Sequence, residues 1–310
     1  MKYTTLKNPN NRALHLADYF FFLRPMLHPP VWTIVLLGYF SLAPHFTSRL
    51  GWLLIISSAA ASWAYILNQI ADIESDRINK KLFFLPENII SLNSARLIAV
   101  LSFVAAVAGG FALGAQIGIL FLLGLSLGQA YSMPPFSFKS RPFMGLFCNA
   151  IAHGTMPFMA GFIVAGGEVS EGFFCSLPYF SAVGAVFIGT TIPDFEGDRA
   201  TGKTTPAVFL GPKLASVVMT LCAITALALS LILRDIPMLL AASFSLPFYI
   251  YSILKNTIRN ASLSVKASIL SLSLAAAWYF PAYLLLIIVL TALTRIYYRR
   301  RFDMAYPSLT

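Results

Sequence analysis

Charge is scarce in this chain. Asp, Glu, Lys and Arg make up 11% of its 310 residues, whereas water-soluble domains carry about 25%. With 58% hydrophobic residues and a mean hydropathy of +0.75, that shortage excludes water as the solvent for most of the surface. Cysteine is also sparse. Cys148, Cys175 and Cys222 lie far apart in apolar runs, without a CxxC pair or a mixed Cys/His cluster, so neither a disulfide framework nor a zinc site is expected. Residues 1–25 are not expected to be a cleaved signal, because a polar stretch precedes any long apolar segment.

What the chain has instead is apolar runs. A membrane span needs about 20 mostly apolar residues. Nine segments qualify: 26–46, 50–72, 94–113, 115–132, 143–166, 173–193, 212–233, 236–255 and 270–297. They predict an all-α polytopic membrane protein whose partner is the lipid bilayer. One transmembrane domain is expected over 26–297, after an interfacial segment 1–25 and before a tail 298–310. Arg12–Arg24 reads as a short amphipathic helix on the membrane surface. The closing run contains Pro281, which marks a place for a kink or a separate helix.

The net charge of +10 calls for no nucleic-acid partner. Basic loops set membrane topology and can collect an anionic substrate. With the N-terminus in the cytoplasm, the loops on that side carry 16 Lys and Arg, and the opposite loops only Arg49 and Arg234. Nine spans would put Arg295, Arg299, Arg300 and Arg301 on the wrong side; the expectation is that earlier helices override them.

Two stretches repeat. NQIADIESDRINKK (68–81) and TTIPDFEGDRATGK (190–203) align at a constant offset. Ile70, Asp72, Glu74, Asp76, Arg77 and Lys81 match Ile192, Asp194, Glu196, Asp198, Arg199 and Lys203. Both copies close a span on the same side. They predict two pseudo-repeated halves facing one cavity. On a helix, Asn68, Asp72 and Asp76 drift only about 80° around the axis over about 12 Å, so they share a face; Asp194 and Asp198 do likewise. Hard oxygen ligands of this kind suit Mg²⁺, which keeps waters and bridges to substrate phosphates. Arg77, Arg199 and Lys203 could neutralise what remains. A bland alternative is that the carboxylates pair with the adjacent arginines at a solvated helix end.

The pattern NxxxDxxxD at 68–76, followed by DxxxD and a Lys at 194–203, resembles the UbiA-type intramembrane prenyltransferases. LRP (23–25), YSMPPFSFK (131–139) and DRATGKTT (198–205) are similar to other stretches of that family. The resemblance implies a nine-helix bundle and a Mg²⁺-dependent enzyme that ionises a prenyl diphosphate to an allylic cation. The cation is then captured by an aromatic or lipid-like acceptor. It implies metal roles for Asn68, Asp72, Asp76, Asp194 and Asp198, and diphosphate contacts for Arg24, Arg77, Lys139, Arg199 and Lys203. Tyr131, at a helix end in the YSMPP turn, is the best aromatic candidate beside the cation, ahead of Trp63 and Tyr65. Asn149 and His153, one turn apart in an apolar span, are candidates for orienting an acceptor or for bridging helices. Gln69 stands where several aromatic-acceptor members carry Asp, and Pro206 directly follows the Thr pair; both leave the acceptor open. The DDxxD run of soluble elongases and the DGxxAR run of CDP-alcohol phosphotransferases are missing. Two alternatives stand beside transfer: a UbiA-type terpene cyclase using the same motifs, and a membrane transporter or lipid-binding protein using the acidic repeats for cations.

Overall fold

Backbone N–H and C=O groups in a bilayer must be satisfied within the segment, so apolar runs of this length become helices. The computed structural model describes residues 12–79 and 84–307, and among the described residues there is no strand. The side chains of residues 12–14, 75, 78 and 79, together with Lys81, lie outside that description.

The helices follow in chain order. α1 (Arg12–Phe22) leads through a short 3-10 turn to α2 (His28–Phe40), then α3 (Ser48–Ala71) and the short α4 (Ile73–Asn79). α5 (Leu92–Leu113) and α6 (Ala115–Ser132) form a hairpin. α7 (Pro142–Ala150) runs through one π-helical turn, Ile151–Thr155, into α8 (Met156–Val164). α9 (Val169–Cys175) and α10 (Leu177–Thr191) precede the short α11 (Phe195–Ala200) and α12 (Pro206–Leu210). α13 (Pro212–Ile232), α14 (Ile236–Lys255), α15 (Ile258–Tyr279) and α16 (Ala282–Phe302) complete the bundle. Thr47, Ser91, Asp235 and Thr257 each accept a hydrogen bond from a backbone N–H three residues on, which caps α3, α5, α14 and α15.

Among the described residues, nine helices are long and apolar enough to cross a membrane. The bent pair α9–α10, with an angle of 44° at its break, adds a tenth when taken as one span. The expected total of about nine therefore stands, but its last member does not. The run 270–297 is two helices, α15 and α16, parted at Phe280–Pro281. α16 runs on to Phe302, so the boundary drawn at 297 falls inside a helix. Counted as ten crossings, with the bent pair as one span, the chain would bring Arg295, Arg299, Arg300 and Arg301 back to the starting side without override. α16 brings Arg301 against Asp18 of α1, so the arginine-bearing end of the chain lies beside the N-terminal helix.

Small residues let the helices approach closely. A Cβ on Gly38 would collide with the Phe158 carbonyl, and one on Gly161 with the Val35 carbonyl; α2 and α8 thus pack backbone to backbone. α15 buries a stripe of Ser264, Ala267, Ser268, Ser271 and Ser273. The Tyr283 hydroxyl at the start of α16 donates to the Pro29 carbonyl (2.7 Å) and meets the Thr33 hydroxyl at 2.7 Å.

Candidate functional site

The two copies of the repeated motif have the same local build. α3 ends at Asp72 with φ −103° and ψ 7°. α10 likewise gives way to Asp194 with φ −89° and ψ 1°. Each aspartate carbonyl then accepts from the backbone N–H of the next aspartate, Asp76 to Asp72 at 2.7 Å and Asp198 to Asp194 at 2.8 Å. The motif is therefore not one unbroken helix, as the spacing alone predicts. It breaks at the first aspartate and restarts as α4 or α11, and the one-turn hydrogen bond keeps the carboxylates on a common side.

That side is a cavity of about 500 Å³ lined by Asn68, Asp72, Asp76, Asp194, Asp198, Lys139 and Lys203, together with Arg24 and Tyr131. Two cations converge on one carboxylate. Lys139 Nζ lies 2.8 Å from Asp72 Oδ1 and donates to Asn68 Oδ1 at 3.2 Å, and Lys203 Nζ is 3.9 Å from the same Asp72 oxygen. Lys139 arrives from the turn after α6, where Ser137 takes a left-handed conformation (φ 43°). Burial lowers the affinity of the Lys139 ammonium for its proton, and the bond to Asp72 opposes that shift. Asp76 is 8% exposed. Its carboxyl is pushed up to about 6, first by burial and then by the neighbouring Asp72 charge.

A second cavity of about 280 Å³ continues inward. Its walls are mainly apolar, with Ala60, Ala64, Phe121, Leu125 and Met156 among them, and Trp63, Tyr65, Asn149 and His153 also face it. Arg24, Asn68 and Tyr131 line both cavities, so these three side chains mark the junction. Arg24 is held in a left-handed turn (φ 57°), with its guanidinium 5.7 Å from the centre of the Tyr65 ring. The Tyr65 hydroxyl in turn donates to the Leu27 carbonyl at 3.0 Å. Asn149 and His153 sit on the wall of the apolar chamber and not at the mouth. The His153 ring is tilted 6.4 Å from Tyr65, and its enclosed Nδ1 makes no hydrogen bond.

Arg77 and Arg199 are not brought to the cavity. Arg77 is half exposed and pairs with Glu74 at 2.9 Å, and Arg199 is exposed. Gln69, the departure from the family pattern, is buried and donates to the Phe22 carbonyl at 3.2 Å. It fastens the turn that carries Arg24. Residues that sequence reasoning missed also line the mouth: Phe21, Phe187, Thr190, Thr191, Thr205, Thr294, Tyr298 and Tyr306. The Thr205 hydroxyl is buried without a hydrogen-bond partner. It belongs to the KTT run whose similarity was visible in sequence, and that was the available signal.

No three His, Cys, Asp or Glu side chains among the described residues close into a ready-made metal cage. Mg²⁺ does not require one. It is typically held by one or two carboxylates, with waters and substrate phosphates completing the shell. Four aspartates, an asparagine and an unpartnered hydroxyl around one cavity fit that chemistry.

A bundle of membrane-length helices with a charged mouth opening into an apolar chamber defines an integral, multi-pass membrane protein built around an amphiphile-shaped cavity. A model of the UbiA prenyltransferase family matches residues 29–267, and the chain belongs to that family. It is 33% identical to probable homogentisate phytyltransferase 2, chloroplastic, of Oryza sativa subsp. japonica, over 47% of this chain and 40% of that protein. It is 28% identical to digeranylgeranylglyceryl phosphate synthase of Sulfolobus acidocaldarius, over 52% of this chain and 57% of that protein. The chain thus spans about half the length of these curated relatives. The structure of a UbiA homologue from Archaeoglobus fulgidus bound to GPP and Mg²⁺ has the same fold, with a TM-score of 0.70 at 21% identity over 86% of this chain and 99% of that one.

Proposed function

We propose that the chain transfers a prenyl group from a prenyl diphosphate to a hydrophobic or aromatic acceptor at the junction of the two chambers. The observation that carries this reading is the shared lining. The aspartate-rich mouth and the apolar chamber meet at Arg24, Asn68 and Tyr131, which is where the first carbon of a donor would lie, with its diphosphate in one chamber and its tail in the other.

Asn68, Asp72, Asp76, Asp194 and Asp198 would hold Mg²⁺, which when bound supplies charge neutralisation to the leaving diphosphate. Lys139, Lys203 and Arg24 are fixed cations at the same mouth. Preorganised positive charge favours the state in which negative charge develops on the leaving group. The donor C–O bond breaks with its electron pair leaving on the diphosphate. The allylic carbon then bonds to a nucleophilic atom of the acceptor, which loses a proton. The Tyr131 and Tyr65 rings could stabilise the cation through their faces, and the apolar walls keep water from capturing it. Asn149 and His153 are the polar groups available to orient an acceptor. The relatives named above act, by their names, on homogentisate and in glyceryl-lipid synthesis, which supports aromatic and lipid-like acceptors alike. The excess of Lys and Arg at the mouth end supports a cytoplasmic mouth by the positive-inside rule.

Purified protein incubated with Mg²⁺, prenyl diphosphates of several lengths and a panel of acceptors should give a prenylated product by mass spectrometry. Asp72→Asn and Asp194→Asn should each lower diphosphate release by about 10²- to 10³-fold. A cyclic hydrocarbon or alcohol formed from donor alone would replace transfer by cyclisation. Wild-type protein that releases no diphosphate would favour the transport class.

A further inference from the structure

The family match ends at residue 267, before α16 begins. One side of α16 is exposed, with Leu285, Ile288 and Leu293 outermost. The other buries Tyr283, Leu290, Thr294, Tyr297 and Arg301, a stripe at heptad-like spacing. The stripe ends in a clamp. Arg301, fully buried, donates to both carboxylate oxygens of Asp18, through Nε at 3.1 Å and Nη2 at 2.8 Å. The Tyr297 hydroxyl donates to the same carboxylate, and its ring stacks on Phe21 at 3.9 Å. A sealed ion pair adds little net stability, and its best-attested use is to fix register. What this one registers is the mouth of the cavity. Thr294 and Tyr298 share the lining with the aspartates and Lys139. Beyond them Asp303 turns left-handed (φ 55°), and the Met304 N–H returns to the Tyr298 carbonyl at 3.2 Å. Tyr306 is thereby packed on Tyr298, with ring centres 4.7 Å apart, and Met304 and Tyr306 join the same lining.

We propose that α16 and the segment after it form a substrate-contacting wall of the mouth, in which Tyr298 and Tyr306 donate hydrogen bonds to the donor's diphosphate. The buried Asp18–Arg301 pair positions that wall. The inference rests on the prenyl diphosphate reading and adds to it a diphosphate contact from outside the repeated motifs. The Tyr298→Phe/Tyr306→Phe double variant keeps both rings and removes both hydroxyls. It should bind inorganic diphosphate with Mg²⁺ about tenfold more weakly and raise the donor KM similarly, with an unchanged Tm. Should that variant fold poorly, a chain ended after Asp303, which loses Tyr306 and keeps Tyr298, should raise the donor KM and weaken diphosphate binding by about threefold. Asp18→Asn should raise KM without a matching fall in kcat, a split that simple unfolding would not give. Diphosphate binding within twofold of wild type in the double variant, or in the shortened chain used in its place, would overturn the proposal. If Asp72→Asn also binds diphosphate like wild type, the reading of the mouth itself falls.

Discussion

Replacing Lys139 by Met should change metal and donor binding in opposite directions. The Lys139 ammonium holds Asp72 at 2.8 Å and Asn68 at 3.2 Å, which are two of the groups proposed to hold Mg²⁺. Both Lys139 and Asp72 are only 14% exposed, so solvent screens the contact little. Coulomb's law at an effective dielectric of about 20 gives about 6 kcal/mol at this separation. That is an upper bound, because burial opposes the charge on Lys139. A hydrogen bond to a charged group is worth about 1.5–3 kcal/mol net. A cation that takes Asp72 must displace this bond, so Lys139 weakens metal binding to the free protein by about 10- to 150-fold, at about 1.4 kcal/mol per tenfold. Lys139→Met removes the competitor and leaves Lys203 at 3.9 Å. Calorimetric titration of MgCl₂ into purified protein without donor should therefore show at least a tenfold lower Kd. Steady-state transfer should show a higher donor KM, because the ammonium is no longer there to meet the diphosphate. Metal affinity that is unchanged or weaker in Lys139→Met would refute the competition argument.

Three further outcomes follow from the same geometry. Asp76 has its folded pKa raised from the ordinary carboxylate value to about 6, so it takes up a proton on acidification from pH 7 to 5 and Mg²⁺ binding should weaken over that range. By the same linkage the metal-free fold loses stability as pH rises from about 4 to about 6, and Asp76→Asn should flatten that part of the Tm profile. Arg77→Ala and Arg199→Ala should keep transfer within about threefold of wild type, because neither side chain lines the mouth; a hundredfold loss in either would mean that the loaded enzyme recruits it. Gly161→Ala should cost about 1–3 kcal/mol by overpacking α8 against the Val35 carbonyl, seen as a lower Tm in detergent, whereas Gly197→Ala, in open space, should leave Tm unchanged.

The aspartates and Asn68 were legible in sequence because helical spacing acts over one or two turns and the motif recurs at a constant offset. Lys139 was legible only through the resemblance. It meets Asn68 across 71 positions of chain, a distance that no periodicity spans. The outward turn of Arg77 was not legible. It depends on which side of the restarted helix α4 faces the cavity, and the break at Asp72 lies inside what spacing reads as continuous. α15 escaped notice for a different reason. Its buried face is made of Ser and Ala, residues that serve close helix packing in membranes but dilute the apolar signal, and Arg259 and Lys266 break its first half. The apolar run that remained was its second half joined to α16, with Pro281 as the one sequence mark of the break.

Restoring that missing helix changes the meaning of the charge pattern. With α15 and α16 separate, and α9–α10 taken as one span, the ten candidate crossings among the described residues would return the chain to the face where it started, and the Arg301–Asp18 contact holds α16 beside α1. Of the 22 lysines and arginines, only Arg49 and Arg234 then belong by sequence position to the opposite face. No late charge needs to be overridden. A bias that complete meets two physical demands at once. It would orient the bundle with the mouth on the proposed cytoplasmic face, and it would place positive charge on the side from which an anionic diphosphate approaches. The four aspartates inside the mouth would repel the same anion if they were bare. Lys139 and Lys203 at Asp72 mask part of that negative charge, and a divalent cation held by the carboxylates would mask the rest.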